Sequence, residues 1–486
     1  MGRPSKQVLQ ERMDHMLDRL RQDIMTGRLK SGDYIPSEVA LGRQFGISKE
    51  SVRRALNDLV DEGVLRKIRR VGNQVTEEAG GLFIHQKQPS HHHTMEHPLE
   101  EADAVLPAAS RDQTVLRLAY YPGLEQEASL SMLIEAFERK HPGVKVELLK
   151  TTLPLEYARH HMADVFTVSV WDHWKQQQVD PRMKIMGDPP YMEAYPKLKE
   201  PFVSRDGRVT ALPLIFSPVV LCYNTTHFAA ANIPAPDEHW TWYTLLKHAR
   251  TLSRELNVRG FASHIQSLNR WPVFLLQNGF RFGDQPNGRI ADSPDLWESL
   301  RISRELLYGQ QQHRTAPLLS ENDHDIERWF REGKVSMIMN TYFGMNSLRN
   351  SSMSYGAAPL PSLHTDRTLL LVTGIACSSA SRHPELARQL AAYLCGEEAQ
   401  TLIRQHTVSL PALPSAWTPV QPLLGSRPIG GMEPEEIWRR GHFYSDLDLL
   451  PQVIEDMREQ LKGFWSNMED EIEAGERLTE LLKSYR

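Results

Sequence analysis

Apolar positions near the start of the chain recur at intervals of three and four. Leu9, Met13, Met16, Leu17, Leu20 and Ile24 share one face, with Arg, Gln and Asp between them, and Gly27 follows as a stop. Ser37 is placed to cap a second short helix that turns Val39, Leu41 and Phe45 inward, with Glu38 at its positive end and Gly46 closing it. Ser48 opens a third helix burying Val52, Ala55, Leu56, Leu59 and Val60, ended by Gly63. Residues 64–70 and 74–76 then alternate like two strands about a turn at Gly72-Asn73. Residues 77–112 lose all periodicity and are rich in Gly, Pro, Ser and His, the composition of a linker. From Val115 to about residue 415 strand and helix signals alternate, which predicts an α/β body. The tail, 434–486, is helical and charged; Ile454, Met457, Leu461, Trp465 and Met468 form a stripe expected to pack on the body.

This pattern divides the chain into a head at 1–78, a linker at 79–112 and a body at 113–486. A length of 486 residues also exceeds what one hydrophobic core usually supports. Charge separates the parts further. Residues 1–76 carry 15 Lys and Arg against 10 Asp and Glu, so +5, which leaves −10 of the total −5 to the remainder. A basic head on an acidic body points to a polyanion as the partner of the head alone. Three scattered cysteines, Cys222, Cys377 and Cys395, fit neither a disulfide framework nor a zinc site and read as reduced thiols. His91, His92, His93 and His97 lack a Cys or carboxylate at ligand spacing, so no metal is expected there. The first residues turn polar and helical at once, and no apolar run approaches bilayer length, so the expected compartment is the cytoplasm, without a membrane partner.

Two helices joined by a glycine turn and followed by a basic hairpin suit the DNA major groove, where the second helix reads base edges and the first braces the backbone. The inward set on helix 48–62 leaves Lys49, Glu50, Ser51, Arg53, Arg54 and Asn57 outward. Arg66, Lys67, Arg69 and Arg70 give the hairpin charge enough to follow a phosphate backbone. The combination, rather than any one residue, predicts a winged helix-turn-helix that binds double-stranded DNA.

Residues 8–76 resemble the winged helix of GntR-type bacterial regulators. The likeness rests on I-x-x-G-x-L-x-x-G-D at 24–33, PSE at 36–38 and FGISKESVRRALNDLVDEGVL at 45–65. It implies base contacts from Lys49, Glu50, Ser51 and Arg53, and phosphate contacts from Ser48 and the wing near Gly72. With Ser37, Glu38, Arg54, Arg70 and Asn73 these make up the expected DNA-binding set. Two departures stand out. Val39 replaces the Arg that usually follows PSE, and RVGNQV at 70–75 keeps only the second glycine and the final valine of the family's wing, with Asn73 in place of its threonine. Members of that family act as dimers on paired half-sites, so a homodimer is expected.

Such heads precede bodies of several kinds. A small ligand-binding domain is too short for this region, and an aminotransferase-like body needs a Schiff-base lysine with paired Asp and Arg, for which no convincing set is present. The stretch LRLAYYPGLEQEASLSMLIEAFERKHPGVKVELL instead resembles the opening of ABC-transporter solute-binding proteins of the maltodextrin-binding type. ADVFTV at 163–168, GRVTALPLIFSPVVLCYN at 207–224, HWTWYTLLKHAR at 239–250, FREGKVSMIMN at 330–340 and GIACSSASRHPELARQLAAYL at 374–394 follow in order. The resemblance implies two α/β lobes joined by crossing strands and closing on a solute, to which the pattern above adds a helical C-terminal tail. It also implies a sugar or oligosaccharide effector, since pyranose C–H groups stack on aromatic rings while carboxylates and amides take hydroxyls.

By position, the expected ligand-binding residues are Tyr120, Tyr121, Trp171, Asp172, Trp174, Phe216, Trp271, Asn340, Tyr342 and Phe343. Tyr223 and Trp242 are expected to be structural. Asp172 next to His173 invites an acid–base reading, but no second carboxylate accompanies them in the pattern, so no catalytic residue and no cofactor are expected. The whole predicts a transcription regulator whose DNA binding responds to a solute; the competing prediction is a DNA-tethered enzyme acting on a small metabolite.

Overall fold

The computed structural model describes residues 47–61, 65–68, 72–76, 113–179, 193–204, 206–281, 293–308, 322–417 and 427–485, together with single positions between 13 and 45. The chain forms two compact units, Met1–Pro107 and Ala108–Arg486. The expected linker lies outside the described residues, as do the four linker histidines.

In the first unit, the Ser51 amide donates to Ser48 Oγ at 3.1 Å, so the expected hydroxyl cap opens the helix Lys49–Asp61. Val52, Ala55, Leu56 and Leu59 turn inward with at most 2% exposure and close a core with Met16, Leu17, Leu20, Leu41 and Ile47. Strands β1 (Leu65–Ile68) and β2 (Gly72–Val75) form an antiparallel hairpin with Leu65 opposite Val75 and Ile68 opposite Gly72. This register corrects the expected turn. Gly72 and Asn73 belong to β2. Leu65 and Val75 are both buried, and because strand side chains alternate between faces, their pairing sets the register of the hairpin. The Ile35 amide donates to the Asn73 carbonyl at 3.1 Å and ties the chain to the hairpin.

The second unit is built on a mixed sheet. Strand β3 (Thr114–Tyr120) lies parallel between β4 (Val144–Lys150) and β5 (Val165–Ser169). Next comes β6 (Leu212–Asn224), a strand of 13 residues, every one buried. Further along are β7 (Arg259–Ala262), β8 (Val335–Thr341), β9 (Tyr355–Ala358) and β10 (Thr368–Cys377). Strand β10 runs antiparallel to both β5 and β6. As far as Pro218, β6 pairs with β10; from Val219 it pairs with β8, and from Leu221 also with β9. Strand β7 continues beside β8. One strand therefore leaves the first lobe and enters the second. Proline supplies no ladder N–H, so Pro218 suits the point where pairing changes partner. Ser217 stitches the change: its hydroxyl donates to the Pro218 carbonyl at 2.7 Å and accepts from the Tyr342 amide at 2.8 Å.

Beyond the switch, alternation divides β6 between two cores. Val220 and Cys222 face the first, whereas Val219, Leu221 and Tyr223 face the second. Trp242 lies wholly in the second core and donates from Nε1 to Gln277 Oε1 at 2.6 Å. The tail helix Pro451–Gln460 adds Val453, Ile454 and Met457 to that core, followed by Leu461, Phe464 and Trp465. The expected stripe ends there. Met468 is 76% exposed, because the chain turns through a left-handed Asn467 (φ 56°) and leaves the helical register.

Candidate functional site

Strand β5 ends at Ser169 and the helix Val170–Val179 begins at the next residue. Ser169 donates its hydroxyl to Asp172 Oδ2 at 2.6 Å and accepts the Asp172 amide at 3.0 Å, which fixes the first turn. Trp171 and Trp174, three residues apart, share a helix face and meet edge-on at 5.6 Å. They lean out of their own lobe onto the second core. Tyr444 receives them, edge-on to Trp171 at 4.8 Å and within 13° of parallel to Trp174 at 6.3 Å. The Tyr444 hydroxyl donates to Asn269 Oδ1 at 2.6 Å.

Behind Tyr444 stands a charged group from the second lobe. Asp323 accepts from Ser267 Oγ at 3.1 Å and lies 3.6 Å from Arg270 Nη2 and 3.8 Å from His264 Nδ1. Burial pushes the Tyr444 hydroxyl far up, Arg270 opposes this, and Asp172 and Asp323 reinforce it, so Tyr444 stays a donor and feels charges from both lobes. Burial also lowers His264, against Asp323 and with Arg270 and Arg458. A cavity of about 220 Å³ opens beside Trp174 and Tyr444, bounded by Val170, Pro201, Val203 and Phe443. On the same helix as Trp174, Lys175 makes two 2.8 Å contacts to the Glu455 carboxylate. A larger hollow of about 720 Å³ lies between the helices Trp242–Leu256 and Pro294–Tyr308. Two of its arginines are already committed, Arg250 to Glu305 and Arg301 to Glu471, so the seam between the lobes is the better-equipped site.

A second group gathers where β8 ends. Tyr121 donates to the Glu127 carboxylate and lies 3.3 Å from Thr373 Oγ1. Burial drives Glu127 up to about 7; the Tyr121 bond opposes this, Glu327 adds to it and His324 reduces it. A Cβ on Gly344 would fall 2.1 Å from Glu327 Oε1 and 2.3 Å from Asn340 Oδ1, so any larger residue would have to displace these side chains. Asn340 is fully buried; its Oδ1 accepts the Thr341 amide at 2.8 Å and its Nδ2 meets no acceptor among the described residues. Phe343 is half-buried at the edge of the first core.

The structure packs the remaining expected cleft aromatics inside the lobes. Tyr120 is 4% exposed, with burial and then Glu125 raising its hydroxyl. Phe216, on doubly covered β6, stacks on Trp417 at 5.7 Å and Trp438 at 5.3 Å. Tyr342 accepts from the Met432 amide at 3.1 Å and is pushed up to about 12 by burial. Trp271 packs on Trp465 at 5.7 Å. Asp172 and His173 form no pair: His173 turns into the first core, bonds Thr210 Oγ1 at 2.7 Å and is lowered to about 4 by burial. Sequence reasoning passed over Tyr444, Asn269, Arg270, His264 and Asp323. Only Arg270, adjoining Trp271 in LNRWP, carried a local hint.

In the head, Ser48 is exposed and Ser51 and Arg53 are half-buried. The helix carries Lys49, Glu50 and Arg54, whose side chains lie outside the described residues, as do Ser37, Glu38 and Arg70. Gly72 opens β2. Asn73, expected at the DNA, is instead 8% exposed, because it shares the inward side of β2 with Val75. Arg66 donates to Gln74 Oε1 across the hairpin at 3.1 Å. Among the described residues, no group of three or more His, Cys, Asp or Glu is arranged to hold a metal, and no helix is long and apolar enough to cross a membrane.

A winged helix followed by two lobes that share a crossing strand defines a DNA-binding domain joined to a solute-binding fold. The chain belongs to the bacterial extracellular solute-binding protein family, whose model matches residues 121–401, and its head is a domain of the gntR family of bacterial regulatory proteins, matched over residues 13–75. The head is 44% identical over 69 residues to the mannosyl-D-glycerate transport/metabolism system repressor MngR of Escherichia coli, covering 14% of this chain and 29% of that one. The galactooligosaccharide-binding protein of Bacillus subtilis is 28% identical over 93 residues, 18% of this chain and 22% of that one. The chain thus spans well under two thirds of these curated relatives. Among solved structures, the ABC substrate-binding protein Lmo0181 of Listeria monocytogenes, in complex with cycloalternan, superimposes with a TM-score of 0.62 at 16% identity, over 77% of this chain and 99% of that one. The GacH receptor of Streptomyces glaucescens gives 0.63 at 15% identity, over 77% and 100%.

Proposed function

We propose that this chain is a cytoplasmic, dimeric transcription regulator whose operator binding is controlled by a saccharide held between the two lobes of its body. The observation that carries the reading is the meeting of Trp171 and Trp174 from one lobe with Tyr444 from the other, flanked by Asp172, Arg270 and Asp323. Aromatic faces beside paired charges are what a polyhydroxylated ring needs, and a site split between two lobes couples occupancy to their closure. The names of the relatives support the same view: a repressor of a transport and metabolism system for the head, oligosaccharide receptors for the body.

On this reading Ser48, Lys49, Glu50, Ser51, Arg53 and Arg54 face the duplex, with Ser37, Glu38, Arg70 and Gly72 on its phosphates. Tyr121, Asn340 and Phe343 complete the cleft where the crossing strands end. A ligand shifts DNA binding only by its differential affinity for the two lobe arrangements, about 1–3 kcal/mol per coupling. The test uses the full chain. An operator selected from random duplexes should be bound with steep salt dependence. A panel of neutral and acidic oligosaccharides should contain one that raises Tm, changes operator affinity and is recovered chemically unchanged. A panel that leaves both Tm and operator affinity unmoved removes the saccharide reading; a ligand recovered as product replaces it with an enzyme.

A further inference from the structure

We propose that the saccharide accepted at this seam is acidic, and that its carboxylate is bound by Arg270. The inference rests on the seam being the saccharide site. Arg270 is 3% exposed, so its guanidinium is held away from water. A guanidinium carries five N–H donors, and few of these are spent. One Nη1 hydrogen goes to the Asn269 carbonyl at 3.3 Å; Asp323 stands 3.6 Å from Nη2, beyond a good hydrogen bond; and the buried Nε–H meets no acceptor among the described residues. Two neighbours repeat the pattern. Trp271 Nε1–H, packed in the second core, meets no acceptor among the described residues, and neither does the buried Nε–H of Arg458, whose Nη2 donates to Glu459 Oε1 at 3.2 Å and whose charge reaches His264 together with that of Arg270.

This wall therefore offers donors in excess. The carboxylate facing Arg270, Asp323, already accepts the Ser267 hydroxyl and is shared between Arg270 and His264. Buried donors are costly to leave unpaired, and a planar carboxylate is the group that takes two parallel N–H bonds from one guanidinium edge. The opposite wall has the complementary chemistry: Asp172, exposed and anchored by Ser169, is an acceptor for hydroxyl groups. A ring with hydroxyls toward Asp172, a face on Trp174 and a carboxylate toward Arg270 satisfies both walls. A sugar phosphate presents the same oxyanion chemistry from another source, and the experiment separates the two.

Calorimetry on the full chain would compare uronic-acid disaccharides and trisaccharides, neutral oligosaccharides of equal length and linkage, and hexose 6-phosphates. The carboxylated ligands should bind at least about tenfold tighter than the neutral ones. Arg270→Gln should erase that preference, with its folding checked separately by Tm and by operator binding in the absence of saccharide. Arg270→Lys, which keeps the charge and loses the fork, should recover part of the preference. Equal affinity for neutral and acidic ligands, or a preference unchanged in Arg270→Gln, overturns the proposal and leaves the saccharide site standing. A preference for phosphate overturns the carboxylate assignment. If no saccharide of either charge binds, the reading of the seam falls with it.

Discussion

At the scale of single residues, Trp174 and Tyr444 set the geometry of the seam. Their centroids are 6.3 Å apart, less than the two van der Waals layers of about 7–8 Å that a sugar ring would fill between them. A ring stacked between them has to part them. Trp174→Ala should weaken saccharide binding by about tenfold or more in calorimetry, since it deletes one stacking face, with operator affinity in the absence of ligand unchanged. Glu127 makes a different prediction. Its folded pKa of about 7 lies above the ordinary carboxylate value, so the native state holds a proton that the unfolded chain releases near 4.5. Stability contributed by this group falls as pH rises from about 4.5 to 7 and is level above. His173, lowered to about 4, acts in the opposite sense up to about 6.5, so the raw profile mixes the two. The difference in Tm between Glu127→Gln and the parent isolates the carboxyl: the variant should gain relative stability through that window. A difference independent of pH would place the Glu127 proton elsewhere.

At the scale of elements, what the sequence shows depends on how local the cause is. The helix Lys49–Asp61 was legible because its cap and its buried positions lie within thirteen residues of one another, and Ser48 can be tested directly. Ser48→Ala should cost about 1 kcal/mol of head stability through loss of the cap bond and lower operator affinity across all sequences alike. The order of strands and helices in the body was equally readable. Strand β6 was not. LPLIFSPVVLCYN is one apolar run, and nothing in its periodicity says that Pro218 divides it between two sets of partners. Phe216 was expected at the cleft because its position suited one, yet a strand covered on both faces buries its aromatics. Trp171 and Trp174 could be seen from their place after β5, but Tyr444, Arg270 and Asp323 come from segments up to about 270 residues away, brought together only by the second core. Asn73 was misplaced by a one-sided view of the hairpin, since a register set by Leu65 and Val75 turns it inward. The contact of Lys175 with Glu455 joins the helix Val170–Val179 to the tail helix Pro451–Gln460. Both residues are partly exposed, so a double-mutant cycle on Lys175→Met and Glu455→Gln should give a coupling of about 0.5–1 kcal/mol that shrinks at high salt.

At the scale of the whole molecule, charge is divided unevenly along the chain, +5 in residues 1–76 and −10 in the rest, so attraction to phosphate favours the winged helix over the acidic body. Regulation requires that they exchange free energy, and linkage limits how. If the saccharide changes operator affinity by some factor, the operator must change saccharide affinity by the same factor. This identity holds whether the ligand acts through lobe closure, through dimerisation or through contact between body and head, which makes it a test of coupling free of any assumption about its route. Calorimetric titration of saccharide into the chain alone and into the operator complex, at one salt concentration, should therefore reproduce the factor found by titrating operator with and without saccharide. For a coupling of about 1–3 kcal/mol that factor is about 5–150. Trp174→Ala should leave the factor unchanged if Trp174 only holds the ring, because it weakens both lobe states alike. It should reduce the factor if its meeting with Tyr444 is what distinguishes the closed body from the open one. A factor of one in both titrations, with saccharide bound in each, would mean that the clamshell and the winged helix share a chain without sharing an equilibrium.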